Sequence, residues 1–522
     1  MTDKRCIFYR SLMLLLSCFL LSEANAQRPP AQGALADFVN DPANGASQLQ
    51  QATGNAVQLA CGALNADGQE IGVGGGFGLT GQEGDLFERC NEMVQTAADL
   101  QGNPDTTRSL GLENDELLAV MQQVSGEELH SQNTMSTRVT NGQFSNIAGR
   151  LNAVRLGGSN AALGGRVAAT GTYDDPQRGN PAYQDVSLDS HSLMGGGAAG
   201  DADIAGSRWG WFLEGSYVNG DREETIAENG FDFDATSFTL GVDYLLNSGV
   251  VGASIGIDNY EADFIPTQLV NGGSVDVEGQ TASVFGALFR EQWYFDAILS
   301  FGTLDSATER AAFYPSNNPG CTPAPCPGVD ATLLGETEGD FFSGGATVGF
   351  DFVRNNWDFT PSLSLAYRDI SLDGYSESDP NAGGLALAYD KQDIKSFKSI
   401  LSLAITGNFS RSFGILSPLF RAEWHHEFED DPARLIAKYD VENQLALEGV
   451  QGAAGAGVFS LGQCISCFVV NGDDIDTDFG VVAAGLSAVF TRRIQLYGII
   501  ESLVGRSYLN STGFSVGIRG QF

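Results

Sequence analysis

The chain has 522 residues, of which 28 are Lys or Arg and 65 are Asp or Glu, and its formal net charge is −37. So acidic a chain is a poor match for a phosphate backbone, which excludes nucleic acid as an expected partner. The one long uncharged apolar run ends before residue 23, which excludes a polytopic helical membrane protein.

The first 26 residues are typical of a secretory signal. A basic stretch, 4–10, precedes the apolar run 12–21, and Ala24-Asn25-Ala26 is a small-residue cleavage site. We therefore expect export by the Sec translocon, loss of residues 1–26 and a mature chain that begins near Gln27.

Six cysteines remain in the expected mature chain, and an exported chain meets an oxidising compartment. Their spacing predicts three local disulfides, Cys61–Cys90, Cys321–Cys326 and Cys464–Cys467. The last pair also fits a thioredoxin-like redox motif, but no βαβ pattern surrounds it. No histidine lies within motif distance of a cysteine pair, so no zinc site is predicted.

Composition divides the mature chain into a helix-rich region, a Gly/Ala/Asp-rich linker and a strand-rich region, which span 27–155, 156–205 and 206–522. In the first region, apolar residues at helical spacing predict a helical hairpin clipped by Cys61–Cys90. A third helix follows Asn114 as a possible cap, and Ser125-Gly126-Glu127-Glu128 looks like a capping box. The helix-rich region has six basic and fifteen acidic residues, which keeps it soluble.

Residues 126–155 form a Gln/Ser/Thr/Asn-rich stretch with apolar residues roughly on one side. About 27 helical residues at about 1.5 Å each cover about 40 Å, which is enough to cross a membrane inside a pore.

From residue 206 onward the apolar period becomes two. Trp357, Phe359 and Leu363 alternate with Asp358 and Thr360, so each segment has one apolar and one polar face. Twelve such segments are predicted, at 208–219, 233–246, 250–262, 276–290, 292–304, 338–353, 357–371, 393–410, 415–429, 477–491, 494–506 and 512–522. An even number is what a closed, single-chain bacterial barrel requires.

The connections between these segments alternate in length. Short links, such as 247–249 and 354–356, alternate with mostly longer Asp/Gly/Pro-rich links near 220–232, 263–275, 305–337, 372–392 and 430–476. Short periplasmic turns and long outer loops are typical of a transmembrane barrel, whereas a soluble β-sandwich does not explain the asymmetry. Aromatic residues at strand ends suit the two membrane interfaces, namely Trp209, Trp293, Trp357, Tyr367 and Trp424. The predicted fold is an all-β transmembrane barrel of twelve antiparallel strands, preceded by a small helical region.

The final strand is amphipathic and ends on Phe522, which looks like an outer-membrane assembly signal. With the signal peptide, the preceding helix and the closing stretch 513–522, residues 206–522 resemble the autotransporter β-domain of Gram-negative bacteria. The stretch 215–244 is also similar to the first hairpin of that family.

This resemblance implies type V secretion, in which host barrel assembly machinery inserts a twelve-stranded barrel into the outer membrane. An N-terminal passenger is then exported through or beside the barrel, and a helix occupies the pore, for which 126–155 is the candidate plug. The linker 156–205 is longer than a direct connection needs, so either the helix or the linker fills the lumen. The region 27–155 is too short and too helical for the long β-helix that many family members carry.

Polar residues on the other face of the strands are predicted to face the lumen. They are Arg208, Glu214, Asp243, Asp358, Arg368, Arg421, Glu423, His425, Glu427, Glu501 and Arg519. Glu423, His425 and Glu427 share one face of a strand and could bring ligands together for a metal, but polar lumen lining is the favoured interpretation. Asp473 to Asp478 lacks the spacing of a calcium loop and is predicted to be an acidic outer loop, with weak divalent bridging to lipopolysaccharide as an alternative.

The remaining motifs do not predict an enzyme or a cofactor site. Gly76 to Gly81 matches G-x-G-x-x-G, but the preceding strand is weak and the segment lies between disulfide-linked helices. A G-x-S-x-G motif is absent from 27–205, where the histidines are His130 and His191. No catalytic residue, metal or cofactor is therefore expected.

We thus expect an outer-membrane autotransporter that exports or displays a short helical passenger at the cell surface. Its expected partners are outer-membrane lipids, lipopolysaccharide, the barrel assembly machinery and the Sec translocon, with the passenger's own ligand unknown. Two alternatives stay open, a plugged porin-like channel and a surface adhesin.

Overall fold

The computed structural model describes most of the chain from Gly33 onward. The described ranges are 33–70, 81–103, 108–170, 208–225, 227–266, 272–318, 328–381, 383–429, 432–439, 466–490 and 494–521. Cys321, Cys326, Cys464, His191, the assembly-signal residue Phe522 and most of the G-x-G-x-x-G motif lie outside these ranges.

The described N-terminal part is helical, as predicted. Its helices are α1 (Ala34–Asn40), α2 (Gln48–Glu70), α3 (Gln82–Leu100), α4 (Asn114–Gln123) and α5 (His130–Thr170), with short 3-10 turns at Pro42–Asn44 and Glu127–Leu129. Cys61 and Cys90 join α2 to α3 through a disulfide, which confirms the clipped hairpin. We call α1–α4 the helical cap. No helix among the described residues has both the length and the apolar character needed to cross a membrane.

Two local predictions about helix ends were wrong. The capping box of α4 is formed by Glu113 and Glu116, because the side chain of each accepts from the other's backbone N–H; Asn114 is the first helical residue. At the proposed box after Ser125, the chain instead turns at Gly126, whose φ is +70°. The Ser125 hydroxyl donates back to the carbonyl of Gln122 at 2.6 Å, and the turn that follows has Gly126 at its N-cap position and no side-chain cap hydrogen bond.

The strand-rich region forms a closed antiparallel barrel of twelve strands, which confirms the predicted fold. Its strands are β1 (Trp209–Arg222), β2 (Phe231–Leu246), β3 (Gly249–Phe264), β4 (Gly273–Arg290), β5 (Trp293–Tyr314), β6 (Val329–Phe350), β7 (Trp357–Leu372), β8 (Gln392–Gly407), β9 (Gly414–Glu427), β10 (Asp478–Phe490), β11 (Ile494–Val504) and β12 (Leu509–Gln521). Short extensions at Phe352–Arg354 and Phe409–Arg411 pair with β7 and β9. The barrel closes because β12 pairs with β1, from Gly210 opposite Gln521 to Arg222 opposite Leu509.

The predicted loop at 305–337 was too long. Strands β5 and β6 are 22 residues each and pair from Trp293–Phe350 up to Tyr314–Val329. At about 3.3 Å per residue this hairpin is about 70 Å long, more than twice the thickness of a bilayer core. It therefore rises well above the membrane.

The outer wall shows where the membrane lies. On β2, Phe238, Leu240 and Val242 are exposed at 45–56% of their surface, whereas Asp232 and Asp234 occupy the outward positions nearer the long connections. The paired strands have acidic side chains at the same level, namely Glu261, Asp263, Asp276, Glu278, Asp305, Glu309, Glu336 and Glu338. The apolar band is therefore the lipid-facing surface, and the acidic side chains begin where it ends.

The long connections contain a second, four-stranded sheet that the sequence did not predict. Its strands pair in the order Phe468–Asn471, Arg434–Tyr439, Leu387–Tyr389 and Tyr375–Ser376. We call it the mouth sheet, because it lies in the connections β7–β8 and β9–β10 at the end of the barrel that carries the long connections. The helical cap lies at this same end.

Candidate functional site

Helix α5 threads the barrel lumen from the long connections towards the short turns. It begins at His130, beside the connection residue Gly472, and reaches the lower half of β2 at Arg150. Along this path it packs mainly against β1–β5. Its helical structure continues to Thr170, which is beyond the predicted start of the linker at 156.

A ladder of polar side chains holds α5 against this wall. Asn146 Nδ2 donates to Thr239 Oγ1 at 2.7 Å, and Thr239 in turn donates to Gln143 Oε1 at 2.7 Å. Gln143 Nε2 donates to Asp258 Oδ1 at 3.1 Å. These side chains are all buried, and the hydrogen bonds between them offset part of the cost of removing polar groups from water.

A buried ion pair lies below the ladder. The guanidinium of Arg150 donates to Asp243 Oδ2, from Nε at 3.0 Å and also from Nη2, and neither side chain is exposed to solvent. The Arg150 guanidinium also lies 5.4 Å from the ring centroid of Phe212. Arg519 from the closing strand is 2% exposed and lies within Coulombic range of both members of the pair.

Glycines let the helix approach the wall closely. A Cβ at Gly142 would lie 2.4 Å from Ser237 Oγ, and one at Gly149 would lie 3.2 Å from Glu214 Oε1. The barrel wall has a matching glycine, Gly256, where a Cβ would lie 1.9 Å from Gln143 Oε1. Small residues at i and i+7 on one helix face therefore set the depth at which the polar ladder forms.

On the opposite side of α5 the lumen keeps a cavity of about 520 Å³. Six of the residues predicted to face the lumen line it, namely Arg368, Arg421, Glu423, His425, Glu427 and Glu501. Four others are buried in the barrel, namely Glu214, Asp243, Asp358 and Arg519. Arg208 is different: it precedes β1 and is exposed, because the alternation that orients a side chain starts only with the strand.

The predicted cluster on β9 is tied together by ion pairs. Glu423 accepts from His425 Nε2 at 2.9 Å and lies 3.2 Å from Arg421 Nε, while Arg421 Nη2 donates to Glu501 at 3.0 Å. Within the described part of the chain no group of three or more His, Cys, Asp or Glu residues is arranged to hold a metal ion. These paired side chains form a stretch of the lumen wall that carries both positive and negative charges.

The helical cap shares one hydrophobic core with the long connections. Leu35, Leu64 and Met93 of the cap are buried together with Leu387 and Ala437 of the mouth sheet. The tops of β5 and β6 add Ala312, Tyr314, Val329, Ala331 and Leu333 to the same core. Each partner alone would expose a large apolar surface, so the cap and the connections form one folded unit.

Arg310 is the polar centre of this unit. Its guanidinium donates to both carboxylate oxygens of Glu377, at 2.9 and 2.6 Å, and to the carbonyls of Gln123 at 3.2 Å and Leu385 at 3.0 Å. It is 1% exposed. Since Gln123 ends α4 and Glu377 belongs to the β7–β8 connection, one side chain joins the barrel, the cap and the mouth sheet.

Buried acids lie where the cap meets the lumen helix. Burial raises the pKa of Glu128 to about 7 in spite of the nearby Arg310 charge, and burial together with Glu128 raises the pKa of Glu127 well above its ordinary value. Burial lowers the pKa of His130 to about 3. Burial therefore disfavours the charged form of each of these groups.

Sequence reasoning missed the residues that join cap and barrel. Arg310 and Glu377 fell in segments interpreted as loops, although the alternation of β5 continues to Tyr314 in the sequence. The ladder residues Gln143 and Asn146 lay within the predicted pore helix, but their partners depend on which wall the helix approaches. Besides Cys61 and Cys90, Cys467 is disulfide-bonded, and its predicted partner Cys464 lies outside the described residues.

Among solved structures, the barrel is similar to translocator domains of autotransporters. The translocator domain of the autotransporter NalP from Neisseria meningitidis is 12% identical, with a TM-score of 0.43 over 61% of this chain and 90% of that chain. The transport unit of AIDA-I from Escherichia coli is 12% identical, with a TM-score of 0.36 over 62% of this chain and 92% of that chain.

Among curated proteins, the chain is similar to esterase EstA of Pseudomonas aeruginosa and of Pseudomonas putida. Each is 29% identical over 175 residues, which is 32% of this chain and 24% of the relative. The chain therefore matches about a quarter of the length of these relatives.

These names contradict the expectation of no enzymatic activity, because esterases occur among the relatives of the chain. That expectation rested on the absence of G-x-S-x-G from residues 27–205. The motif identifies the nucleophile elbow of one hydrolase fold, so its absence does not exclude esterases that are built differently.

A family model described as the autotransporter β-domain matches residues 211–463. This range begins in the first barrel strand and extends through nine of the twelve strands. The match and the closed twelve-stranded barrel agree with the resemblance inferred from the final strand and the first hairpin. The C-terminal barrel of this chain is thus an autotransporter β-domain, a barrel of the bacterial outer membrane.

Proposed function

We propose that this protein displays its own helical cap at the cell surface and keeps it docked on the barrel. The observation that carries the proposal is the single hydrophobic core shared by α1–α4, the mouth sheet and the tops of β5 and β6. A passenger made for release would need a core of its own, whereas here the connections complete the core of the cap. The cap is then a resident surface domain.

The path of the chain supports this orientation. Long connections of outer-membrane barrels face outward and short turns face the periplasm. The cap lies with the long connections, α5 runs down the lumen, and β1 begins at the opposite end, where Trp209, Trp293 and Trp357 are exposed on the outer wall. Such a path is what remains after a chain has been exported through or beside its barrel.

The level of the acidic side chains supports contact with lipopolysaccharide. They begin directly above the apolar band, where phosphate groups of that lipid lie in an outer membrane. Since carboxylates and phosphates repel each other, we expect divalent cations to bridge them. Removal of these cations with a chelator should then loosen the protein from membranes of full-length lipopolysaccharide more than from phospholipid bilayers.

Protease accessibility on intact cells tests the display proposal. One epitope tag is placed at Gly45, in an exposed turn of the cap, and a control tag between Ser412 and Phe413, in a short turn. We expect the first tag to be accessible on a full-length species and the second to be protected. A released N-terminal fragment would contradict retention, and a protected Gly45 tag would contradict surface display.

The two alternatives give different outcomes in the same cells. A plugged channel would leave the Gly45 tag protected and would conduct only after α5 is deleted. An adhesin would keep the display topology and add cell binding that is lost when the cap is removed. The proposed function predicts the display topology, with adhesion as a separate measurement.

A further inference from the structure

The luminal cavity contains a cluster of cations that the display function does not use. Arg138 of α5, Arg368 of β7, Lys398 of β8 and Arg506 of the β11–β12 connection all line its upper part. Lys398 lies within Coulombic range of Arg368 and Arg506, and Arg138 within range of Arg506. We call these four residues the cationic cluster.

The carboxylates that share this region are already engaged. Glu427 accepts from Ser396 Oγ at 2.7 Å and from a backbone N–H at 2.8 Å, and it lies 3.4 Å from Lys398 Nζ. Asp476, which interacts with Arg506, accepts the backbone N–H and hydroxyl of Ser507 at 2.7 and 2.8 Å. Glu427 and Asp476 are thus the carboxylates that interact with this cluster. The cavity is also lined by Glu228 and Asp473, which pair with Arg222, and by Glu423 and Glu501, which pair with Arg421.

Aromatic rings also contact the cations of the cluster. The Phe479 ring centroid lies 4.2 Å from the Arg506 guanidinium and 5.6 Å from Lys398 Nζ, and His425 stacks on the same ring at 4.8 Å. Arg138 lies 4.3 Å from the ring centroid of Phe233. Such cation–π contacts hold the cations in place without consuming their N–H donors.

Several of those donors have no acceptor among the described residues. Arg368 is 5% exposed. Its Nη2 donates to Asn141 Oδ1 at 2.5 Å, but its Nε and Nη1 have no hydrogen-bond partner among the described residues. The Nε atoms of Arg138 and Arg506 are also buried and have no hydrogen-bond partner in the described part of the chain. A buried guanidinium with open donors is costly unless an acceptor is supplied.

We propose that the cationic cluster binds a small multivalent oxyanion of the phosphate or sulfate class. The planar guanidinium fork of Arg368 matches two oxygens of such an anion, and Lys398 adds a point charge. The cavity of about 520 Å³ has ample room for it. The barrel wall separates this cavity from the bilayer, so the ligand is a free anion and not a lipid headgroup.

Equilibrium dialysis of the detergent-solubilised, full-length protein against radiolabelled inorganic phosphate tests the proposal at constant ionic strength. We expect saturable binding that sulfate competes and chloride does not. Arg368→Gln should weaken binding by about tenfold or more, since it removes charge-assisted hydrogen bonds. Lys398→Gln should weaken it in the same direction.

The matched control is Arg421→Gln, which removes a luminal arginine that is already paired with Glu423 and Glu501. It should leave the affinity for phosphate unchanged. Heat-modifiable mobility in gels checks that each variant barrel is folded, and Lys398→Gln decides the question where Arg368→Gln does not fold. Absence of saturable binding, or equal losses in Arg421→Gln and Arg368→Gln, would overturn the proposal.

Discussion

The chain joins its N-terminal region to the barrel in two chemically different ways. In the lumen, α5 is held by directional polar contacts such as Asn146–Thr239 and by the buried pair Arg150–Asp243. At the mouth, the cap is held mainly by an apolar core shared with the connections, with Arg310 as its polar centre. Ile147 and Leu151 of α5 also share a small apolar cluster with Phe212 of the wall. The luminal interface therefore mixes polar and apolar contacts, whereas the mouth interface is mainly apolar.

The difference follows from what each interface must do. Directional polar contacts, such as the buried pair Arg150–Asp243, form in only one register, so they fix where α5 lies in the lumen. Apolar contact at the mouth is non-directional and grows with buried area, so it stabilises the cap once the cap is outside. The luminal contacts therefore suit positioning of α5, and the mouth suits retention of the cap.

We expect the largest effect from a variant that breaks the luminal interface. Asp243→Asn leaves Arg150 and Arg519 buried beside each other without their shared carboxylate, which should cost about 3–5 kcal/mol. We expect α5 to loosen in the lumen and ion conductance across planar bilayers to increase. Asp305→Asn, a change on the exposed outer wall, is the control. Unchanged conductance in Asp243→Asn would show that the pair does not hold the helix.

A second variant breaks the mouth interface alone. Leu387 is fully buried in the shared core, and Leu387→Ala should destabilise the cap by about 2–5 kcal/mol. Proteolysis of the cap should accelerate while the heat-modifiable mobility of the barrel stays the same. Leu401→Ala is the matched control, because Leu401 is 53% exposed on the lipid-facing wall. If both variants accelerate proteolysis equally, the cap does not depend on the shared core.

Removal of the disulfide tests how much of the stability of the cap comes from within the cap itself. Cys61 and Cys90 are separated by 29 residues, and removing both should cost the cap about 2–4 kcal/mol by chain entropy. Because the shared core remains, the double Cys→Ala variant should stay docked but lose protection from protease at a lower temperature. Reducing agent should reproduce this effect in the wild type and add nothing to the variant. Loss of the cap at all temperatures would mean that the disulfide, and not the core, retains it.

The smallest expected effect is a pH dependence of the cap. Burial raises the pKa of Glu92 from 4.5 to about 7, although Arg89 lies 3.1 Å away. The folded cap therefore holds a proton that the unfolded chain releases, and its stability should fall as pH rises from about 4.5 through about 7, by about 1–3 kcal/mol. Trypsin resistance of the cap at pH 5 and pH 8 measures this difference. Glu92→Gln should reduce the slope, and an unchanged slope would assign it to other groups.

The twelve strands were predictable because the lipid-facing band gives a strong apolar contrast. Above the band that contrast inverts: on β6 the outward residues become Glu336 and Glu338, while the inward residue Leu333 belongs to the core shared with the cap. In this upper part the outward face of the hairpin is polar and its inward face is apolar, the opposite of the arrangement within the band. For this reason the upper halves of β5 and β6 were interpreted as a loop.

The sequence by itself determined the exported barrel, its direction in the membrane, the helical hairpin of the cap and the disulfide that clips it. Each of these depends on local periodicity or spacing, which is visible within single segments of the sequence. Only the tertiary structure decided that α5 lies against β1–β5, that Arg310 joins three elements and that the connections complete the core of the cap. These contacts join segments up to several hundred residues apart, and they form only because closure of the barrel brings those segments to one lumen and one mouth.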